Sequence, residues 1–202
     1  MKHKFVLAAA LAASLAGCAS TTPTREQESA YAIYRIAPGA EVTPAQMSQA
    51  ILTALQKNNS SVQISRGIPP SPLPETPPRF QLVNPFGSTG FAALAAQGGA
   101  NLQVATCEGA LVTAMAQDTS MSDYGEATRF TTCLWPHQDG YHLATHTSFT
   151  RSSGGGSPNM LGAMLARKVV GDSSQFIPRT INDPAGGLEA TGSQGTLVEP
   201  SP

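Results

Sequence analysis

A run of prolines near the middle of the chain restricts the fold more than any other feature of the sequence. Residues 68–80 read IPPSPLPETPPRF and place six prolines between positions 69 and 78. Each proline fixes its φ angle and lacks a backbone N–H, so the run fits neither a helix interior nor a central strand. We predict an extended, polyproline-like surface segment within the domain. A stiff connector is the favoured interpretation, and a ligand for a proline-recognising partner is the alternative.

The composition describes a folded chain with little charge. Of its 202 residues, 41% are hydrophobic, a fraction too high for a wholly disordered chain, and the length suits one domain with loose ends. Only 12% are charged, and the formal net charge is −1. Because nucleic-acid recognition needs clustered Lys and Arg, we expect no nucleic-acid partner.

The N-terminus has the parts of an export signal. Residues 2–4 (KHK) are positively charged, and the apolar run at 5–13 is too short to cross a bilayer. The segment Leu15-Ala16-Gly17-Cys18 follows, and it resembles the lipobox of bacterial lipoproteins. This resemblance covers about the first 20 residues of the chain. An ordinary secretory signal with an incidental cysteine is the alternative.

The resemblance implies that signal peptidase II removes residues 1–17 and that Cys18 becomes a diacylated first residue. An Asp in the next position would retain a lipoprotein at the inner membrane, so Ala19 implies the outer membrane of a Gram-negative cell, with the domain in the periplasm. Loss of Lys2 and Lys4 leaves 10 basic and 13 acidic residues, a net charge of −3. We therefore expect acyl chains, rather than charge, to hold the protein on the membrane.

The mature chain is predicted to contain one α+β domain over residues 31–183. Residues 18–30 are the lipidated cysteine and a flexible tether, and residues 184–202, with four Gly and three Pro, form a disordered tail. A capped helix is predicted at 44–57 because Thr43, Pro44 and Gln46 form a capping box with proline in the first helical position. The other predicted elements are strands at 31–36 and 61–66, a central antiparallel meander at 101–117, 128–137 and 141–152, helices at 91–97 and 157–169, and a short helical turn around Pro178.

Cys107 and Cys133 are the cysteines that remain once Cys18 is acylated. Exported proteins mature in an oxidising compartment, which favours a disulfide. If the loop between the first two meander strands is centred near residue 120, Cys107 and Cys133 lie directly opposite each other. We predict a structural disulfide. A pair used in disulfide exchange is the alternative, although the C-x-x-C spacing typical of such sites is missing.

The three histidines of the mature chain lie close together in the sequence. A tight turn at Asp139-Gly140 makes His137 and His142 cross-strand neighbours about 5 Å apart, which could give two ligands to a metal ion. His146 shares their face but lies about 13 Å farther along, too far for the same ion. Two ligands make a weak site, so we expect neither a metal nor another cofactor.

Trp135 shares this face with the histidines and the cysteines. If the face is open, Trp135 and the histidines form a candidate binding surface; if a helix such as 44–57 covers it, Trp135 belongs to the core. The opposite face is the predicted core surface, and it carries Phe130 opposite Phe149, together with Leu134, Leu143, Val104 and Leu102.

Sequence patterns for catalysis are weak. Residues 86–90 (FGSTG) lack the spacing of a hydrolase serine motif, and residues 152–156 (SSGGG) lack the lysine of a phosphate-binding loop. We expect a noncatalytic binding or assembly module that contacts another envelope protein or a cell-wall component. The alternatives are an envelope hydrolase that uses a histidine of the 137–146 hairpin with a distant acid, and a metal-binding lipoprotein.

Overall fold

The structure is a computed structural model, and it describes residues 24–85, 87, 103–119, 128–153 and 173–200. The predicted signal peptide and Cys18 lie outside the described residues. The predicted helices at 91–97 and 157–169 lie outside them as well. Within the described ranges, no helix has the length and apolar character needed to cross a membrane.

The described chain forms a mostly antiparallel sheet that packs against helices, which confirms the α+β class. The elements are β1 (Thr24–Ala37), α1 (Pro44–Gln56), β2 (Ser61–Arg66), β3 (Gln81–Val83), β4 (Val104–Thr106), β5 (Val112–Asp118), β6 (Thr128–His137), β7 (Gly140–Ser153), α2 (Ser173–Glu189) and β8 (Gln194–Pro200). Six strands lie in the order β2-β5-β6-β7-β1-β8, and β3 pairs with β4 in a separate small sheet. Every pairing between these described strands is antiparallel.

Helix α1 forms where the capping signal predicted it. The backbone N–H of Gln46 donates to the Thr43 hydroxyl, and the Thr43 N–H donates to the Gln46 side chain at 2.8 Å. Pro44 occupies the first turn, where its missing N–H has no partner to lose. Met47, Ile51, Ala54 and Leu55 then recur on one side of the helix and are buried against the sheet.

Helix α2 is much longer than the turn predicted around Pro178. It continues to Glu189 although Pro178 and Pro184 lie inside it, and an interior proline costs a helix about 3 kcal/mol. Burial offsets this cost because one side of the helix is packed on the sheet. The buried apolar side chains on that side are Ile177, Ile181, Ala185 and Leu188.

The two helices lie on one face of the sheet, and the main core lies between them and the strands. The largest buried side chains there include Phe130, Leu134 and Leu143, which were predicted to share this core face. Phe130 meets Phe176 of α2 edge to face, with ring centroids 5.9 Å apart.

Both predicted termini of the domain are wrong. Strand β1 begins at Thr24, so residues 24–30 of the predicted tether pair with β7. The predicted disordered tail contains the end of α2 and strand β8, which pairs with the outer side of β1. The tail has few apolar residues, but β1 provides a complete row of backbone hydrogen-bonding groups for it to pair with.

The first strand predicted for the central meander is divided in the structure. Residues 104–106 pair with β3 in the small sheet, and only residues 112–118 pair with β6. Between them, Cys107–Leu111 turns the chain, with the Ala110 N–H bonded to the Cys107 carbonyl at 3.1 Å. The glycine in this turn, Gly109, has a φ of +69°, a conformation that amino acids with a side chain rarely adopt.

Candidate functional site

The proline-rich segment, called the strap below (residues 68–80), crosses the sheet face opposite the helices. At one end the Gln138 N–H, in the β6–β7 turn, donates to the Pro74 carbonyl at 3.1 Å. At the other end Phe80 packs against a second apolar cluster on this face. The buried residues of this cluster are Ile33, Ala110, Cys133, Trp135 and Ala144. The sequence left open whether the face that carries Trp135 is exposed or covered by a helix. The structure shows that the strap covers it.

Two of the candidate histidines contact the strap directly. The His142 Nδ1 lies 2.6 Å from the Pro78 carbonyl, which requires Nδ1 to carry the proton and donate. The His146 ring lies 5.3 Å from the Phe80 ring. Burial lowers the pKa of both imidazoles from the usual value. For His142, the hydrogen bond to Pro78 opposes this shift, while the positive charges of Arg79 and Arg35 add to it.

His137 lies at the end of the same face, beside the turn. Its Nδ1 accepts a hydrogen bond from the Asp139 N–H at 3.2 Å, so its Nε2 carries the proton. That Nε2 and the Nε2 of His146 are both buried without a hydrogen-bond partner in the described part of the chain.

The hairpin register differs from the prediction by two positions. His137 faces Gly140 rather than His142, and Trp135 faces His142, with ring centroids 6.3 Å apart. The chain turns at Gln138-Asp139, one residue earlier than expected. Phe130 likewise faces Thr147 rather than Phe149.

Trp135 is fully buried, so of the two alternatives that the sequence left open it belongs to the core and not to an exposed binding surface. Its indole N–H donates to the Glu108 carbonyl at 2.8 Å. The loop that carries Glu108 is also the loop that carries Cys107, and it lies over the Trp135 side of the sheet. The chain therefore covers Trp135 with a loop and the strap, and not with helix α1.

The predicted disulfide between Cys107 and Cys133 is present, with Cα atoms 5.5 Å apart. The register used to predict it is wrong, because Thr113 and not Cys107 lies opposite Cys133 in the sheet. Cys107 reaches Cys133 from the loop before β5, which folds over this face. The bond thus fixes a covering loop to a central strand.

A carboxylate from the last strand joins the strap to the sheet. Glu199 accepts a 2.9 Å hydrogen bond from the Tyr31 hydroxyl and forms a salt bridge with Arg79. These two contacts, the Tyr31 bond first, lower the Glu199 pKa, and the same bond raises the Tyr31 pKa. No local sequence signal indicates this cluster, because Tyr31 and Glu199 are 168 positions apart.

A β-bulge sets the direction of Glu199. Tyr34 pairs with Leu197 and Ile33 with Glu199, so Val198 is an extra residue in β8. If the register of Tyr34 and Leu197 continued without a bulge, Val198 would pair with Ile33, and Glu199 would fall opposite Ala32 and point to the helix face, since successive residues in a strand alternate sides. The bulge therefore turns the carboxylate toward the strap.

A groove between α1 and α2 is a second candidate site, which the sequence reading missed. Its cavity has a volume of about 470 Å³, within the range of small-ligand sites. Small residues and polar side chains line it: Ala50, Ala54, Gly187 and Ala190, with Gln46, Gln49, Thr53, Lys57 and Thr191. The helices approach closely here because position 187 has no side chain. Sequence spacing could have found each helix face, but not their contact.

The candidate histidines do not assemble a metal site of three or more ligands in the described ranges. His137 and His142, the proposed pair of ligands, are not cross-strand neighbours. Each has a ring nitrogen bonded to the backbone, which leaves the arrangement suited to holding the strap and the turn.

No protein-family model matches the chain, and no curated protein matches it either. Among solved structures, one described as "Crystal structure of Ara h 8.0201" is 13% identical and covers 85% of this chain and 99% of its own. Its TM-score is 0.20, a value that does not establish a common fold.

Proposed function

We propose that this chain is a lipid-anchored protein of the bacterial envelope whose domain binds another envelope component without catalysing a reaction. The observation that carries the proposal is the lipobox-like segment ending at Cys18, behind a charged and apolar export signal. The disulfide is consistent with maturation outside the cytoplasm, since such bonds persist in oxidising compartments.

With the proposed anchor at Cys18, the short stretch of chain before β1 would hold the domain close to the membrane. Thr24 is the first residue of β1 and comes six residues after Cys18. A fully extended chain spans at most about 3.6 Å per residue, so the domain edge would lie within roughly 20 Å of the lipidated cysteine. A partner would then be one that the protein meets at the membrane surface.

The groove between α1 and α2 is the surface we assign to partner binding. Small apolar residues line it together with the amide, hydroxyl and ammonium groups of Gln49, Thr53 and Lys57. Such a combination of apolar lining and a few polar groups is typical of binding sites between helices. The groove lies on the side of the sheet away from the strap, so binding there leaves the strap in place.

The contacts of the histidines favour binding over hydrolysis. A catalytic histidine must come within hydrogen-bond reach of a substrate proton. His142 instead bonds to the Pro78 carbonyl, and His146 packs on Phe80 beneath the strap. Both contacts support a structural role for these side chains.

Lipid attachment is tested by replacing the modified residue and its neighbour. We expect Cys18→Ser to abolish labelling by radioactive palmitate and to release the protein from membranes. Ala19→Asp serves as the matched variant, since it should keep the label but move the protein to the inner membrane. Membrane association that persists in Cys18→Ser would contradict the proposed anchor.

Partner binding is tested by filling the groove at an exposed position. Thr53 lines the groove and is exposed, so Thr53→Arg should block it without disturbing the core. Gln63→Arg, on exposed strand β2, is the control with the same added charge. We expect crosslinking in intact envelopes to give a product that Thr53→Arg loses and Gln63→Arg keeps. A product unaffected by Thr53→Arg would exclude the groove.

A further inference from the structure

The strap is held to the sheet by a small number of contacts, and two of them depend on histidines. His142 donates to Pro78, and the His146 ring packs against Phe80. The other described contacts are the two hydrogen bonds from Gln138 to Pro74 and Leu73, the salt bridge of Arg79, and the packing of Phe80 on the second apolar cluster and on the Tyr31 ring, 5.8 Å away between centroids. The strap makes no described strand ladder with the sheet, so it can detach without breaking the six-stranded pairing.

The surroundings of His146 beneath the strap favour a neutral imidazole. His146 is 4% exposed, and its Nε2 has no hydrogen-bond partner in the described residues. A protonated imidazole has two N–H donors, and a buried donor without a partner destabilises the fold, more so when the group is charged. Water can satisfy that donor only if the cover over His146 opens.

The charged groups around His142 disfavour a proton there as well. Arg35 lies directly opposite His142 on β1, and Arg79 approaches it from the strap. His137 adds a further repulsion when charged, from the same end of the face. Glu199 attracts a positive charge on His142, but Arg79 and Tyr31 already bind both of its oxygens.

We propose that the strap is an acid-released cover, which detaches residues 73–80 from the sheet when His142 and His146 take up protons and thereby uncovers the Trp135 side. The direction of the pH effect follows from the histidine pKa values in the closed and open states of the strap. In the closed state, burial keeps the pKa of both histidines lowered, whereas in the open state both return toward about 6.5. The closed state therefore binds fewer protons and loses stability as the pH falls below about 6.5.

Hydrogen exchange at the Gln138 amide measures this opening directly, because that N–H is hydrogen-bonded to the Pro74 carbonyl of the strap. The experiment uses the full chain, purified in detergent, with rates corrected for intrinsic exchange. From about pH 7.5 to about pH 5.5, each histidine can raise the opening constant up to about tenfold, so the two together give up to about a hundredfold loss of protection. Glu199 stays ionised over this range, because its pKa lies below 4.5.

The matched variant is His142→Asn with His146→Gln, which keeps polar side chains but cannot take up a proton near neutral pH. We expect its Gln138 protection to be independent of pH in the same range. If this variant does not fold, acrylamide quenching of Trp135, the single tryptophan, measures opening in the unmodified chain. Loss of protection in α1 to the same extent as at Gln138 would show global unfolding and overturn the proposal. An acid response retained by the double variant, or Trp135 still shielded at about pH 5.5, would overturn it too.

Discussion

The Tyr31 hydroxyl donates to Oε1 of Glu199 at 2.9 Å, and this bond joins the second half of the long strand β1 to the last strand of the sheet. It exists because the extra residue Val198 turns Glu199 to the strap side. Arg79 binds the other carboxylate oxygen, so one side chain connects β1, β8 and the strap. The end of the chain thus takes part in holding the strap that lies more than a hundred positions earlier.

Glu199→Gln should loosen β8 and remove a stabilising contribution that the unmodified protein loses only in acid. The Glu199 pKa is lowered by its bonds to Tyr31 and Arg79, so the carboxylate stabilises the folded state above the ordinary value of 4.5. That contribution is lost as the pH falls from 4.5 through the lower folded value. We expect the β8 amides of Glu199→Gln to exchange faster at neutral pH. We also expect its melting temperature to decrease less than that of the unmodified protein as the pH falls below 4.5. Tyr31→Phe keeps the carboxylate but removes the larger of its two contacts, so its acid dependence should lie between those of the unmodified protein and Glu199→Gln. Equal acid dependence in all three proteins would exclude the role of Glu199.

Gly187→Ala should force the two helices apart. A Cβ at position 187 would lie 2.8 Å from the Ala54 Cβ and 2.9 Å from the Ala50 carbonyl oxygen, closer than such atoms pack. Overpacking of this kind costs about 1–3 kcal/mol in the free energy of unfolding. Gly186→Ala is the matched control, because a Cβ there meets no atom within 4 Å. We expect urea unfolding to show a loss for Gly187→Ala and a gain of about 0.5–1 kcal/mol for Gly186→Ala; the opposite order would contradict the close helix contact.

The sequence predicted sheet faces better than registers, and strand geometry explains why. Cys133 faces Thr113 instead of Cys107, a shift of six positions, and His142 faces Trp135 instead of His137, a shift of two. An even shift returns every side chain to the same face, so the alternation of apolar residues fixes the face but not the register. The register depends on turn positions, and the predicted turn at Asp139-Gly140 begins one residue earlier.

The parts that sequence reasoning missed are those that depend on distant contacts. Strand β8 is mostly polar, so its own composition does not predict a strand; it pairs with β1. The proline run lies at the surface without helix or strand, as predicted, because proline disfavours both locally, but the chain bends at residues 71–72 and 75–76 and is not extended throughout. Which sheet face the strap covers is set by Phe80 and its contact with His146, and no local pattern indicates that contact.

Replacement of both cysteines should weaken the fold considerably. The bond between Cys107 and Cys133 closes a loop with a sequence separation of 26 residues. In the chain-entropy account, such a crosslink stabilises by about 3 kcal/mol. We expect the double variant Cys107→Ala with Cys133→Ala to lose about that much in urea unfolding. Titration of the untreated protein should find neither of these two thiols free, and finding both free would contradict the bond.

Phe130→Ala should be among the most destabilising substitutions in the chain. Phe130 is fully buried in the main core and packs edge to face on Phe176, so its loss leaves a cavity between α2 and the sheet. Such a change costs about 3–5 kcal/mol, a large share of the 5–15 kcal/mol typical of a domain. Met115→Ala is the control on the other face, where the side chain is 46% exposed, and it should cost about 0.5 kcal/mol or less. Urea unfolding followed by far-UV circular dichroism measures both, and equal losses would place Phe130 outside the core that joins sheet and helix.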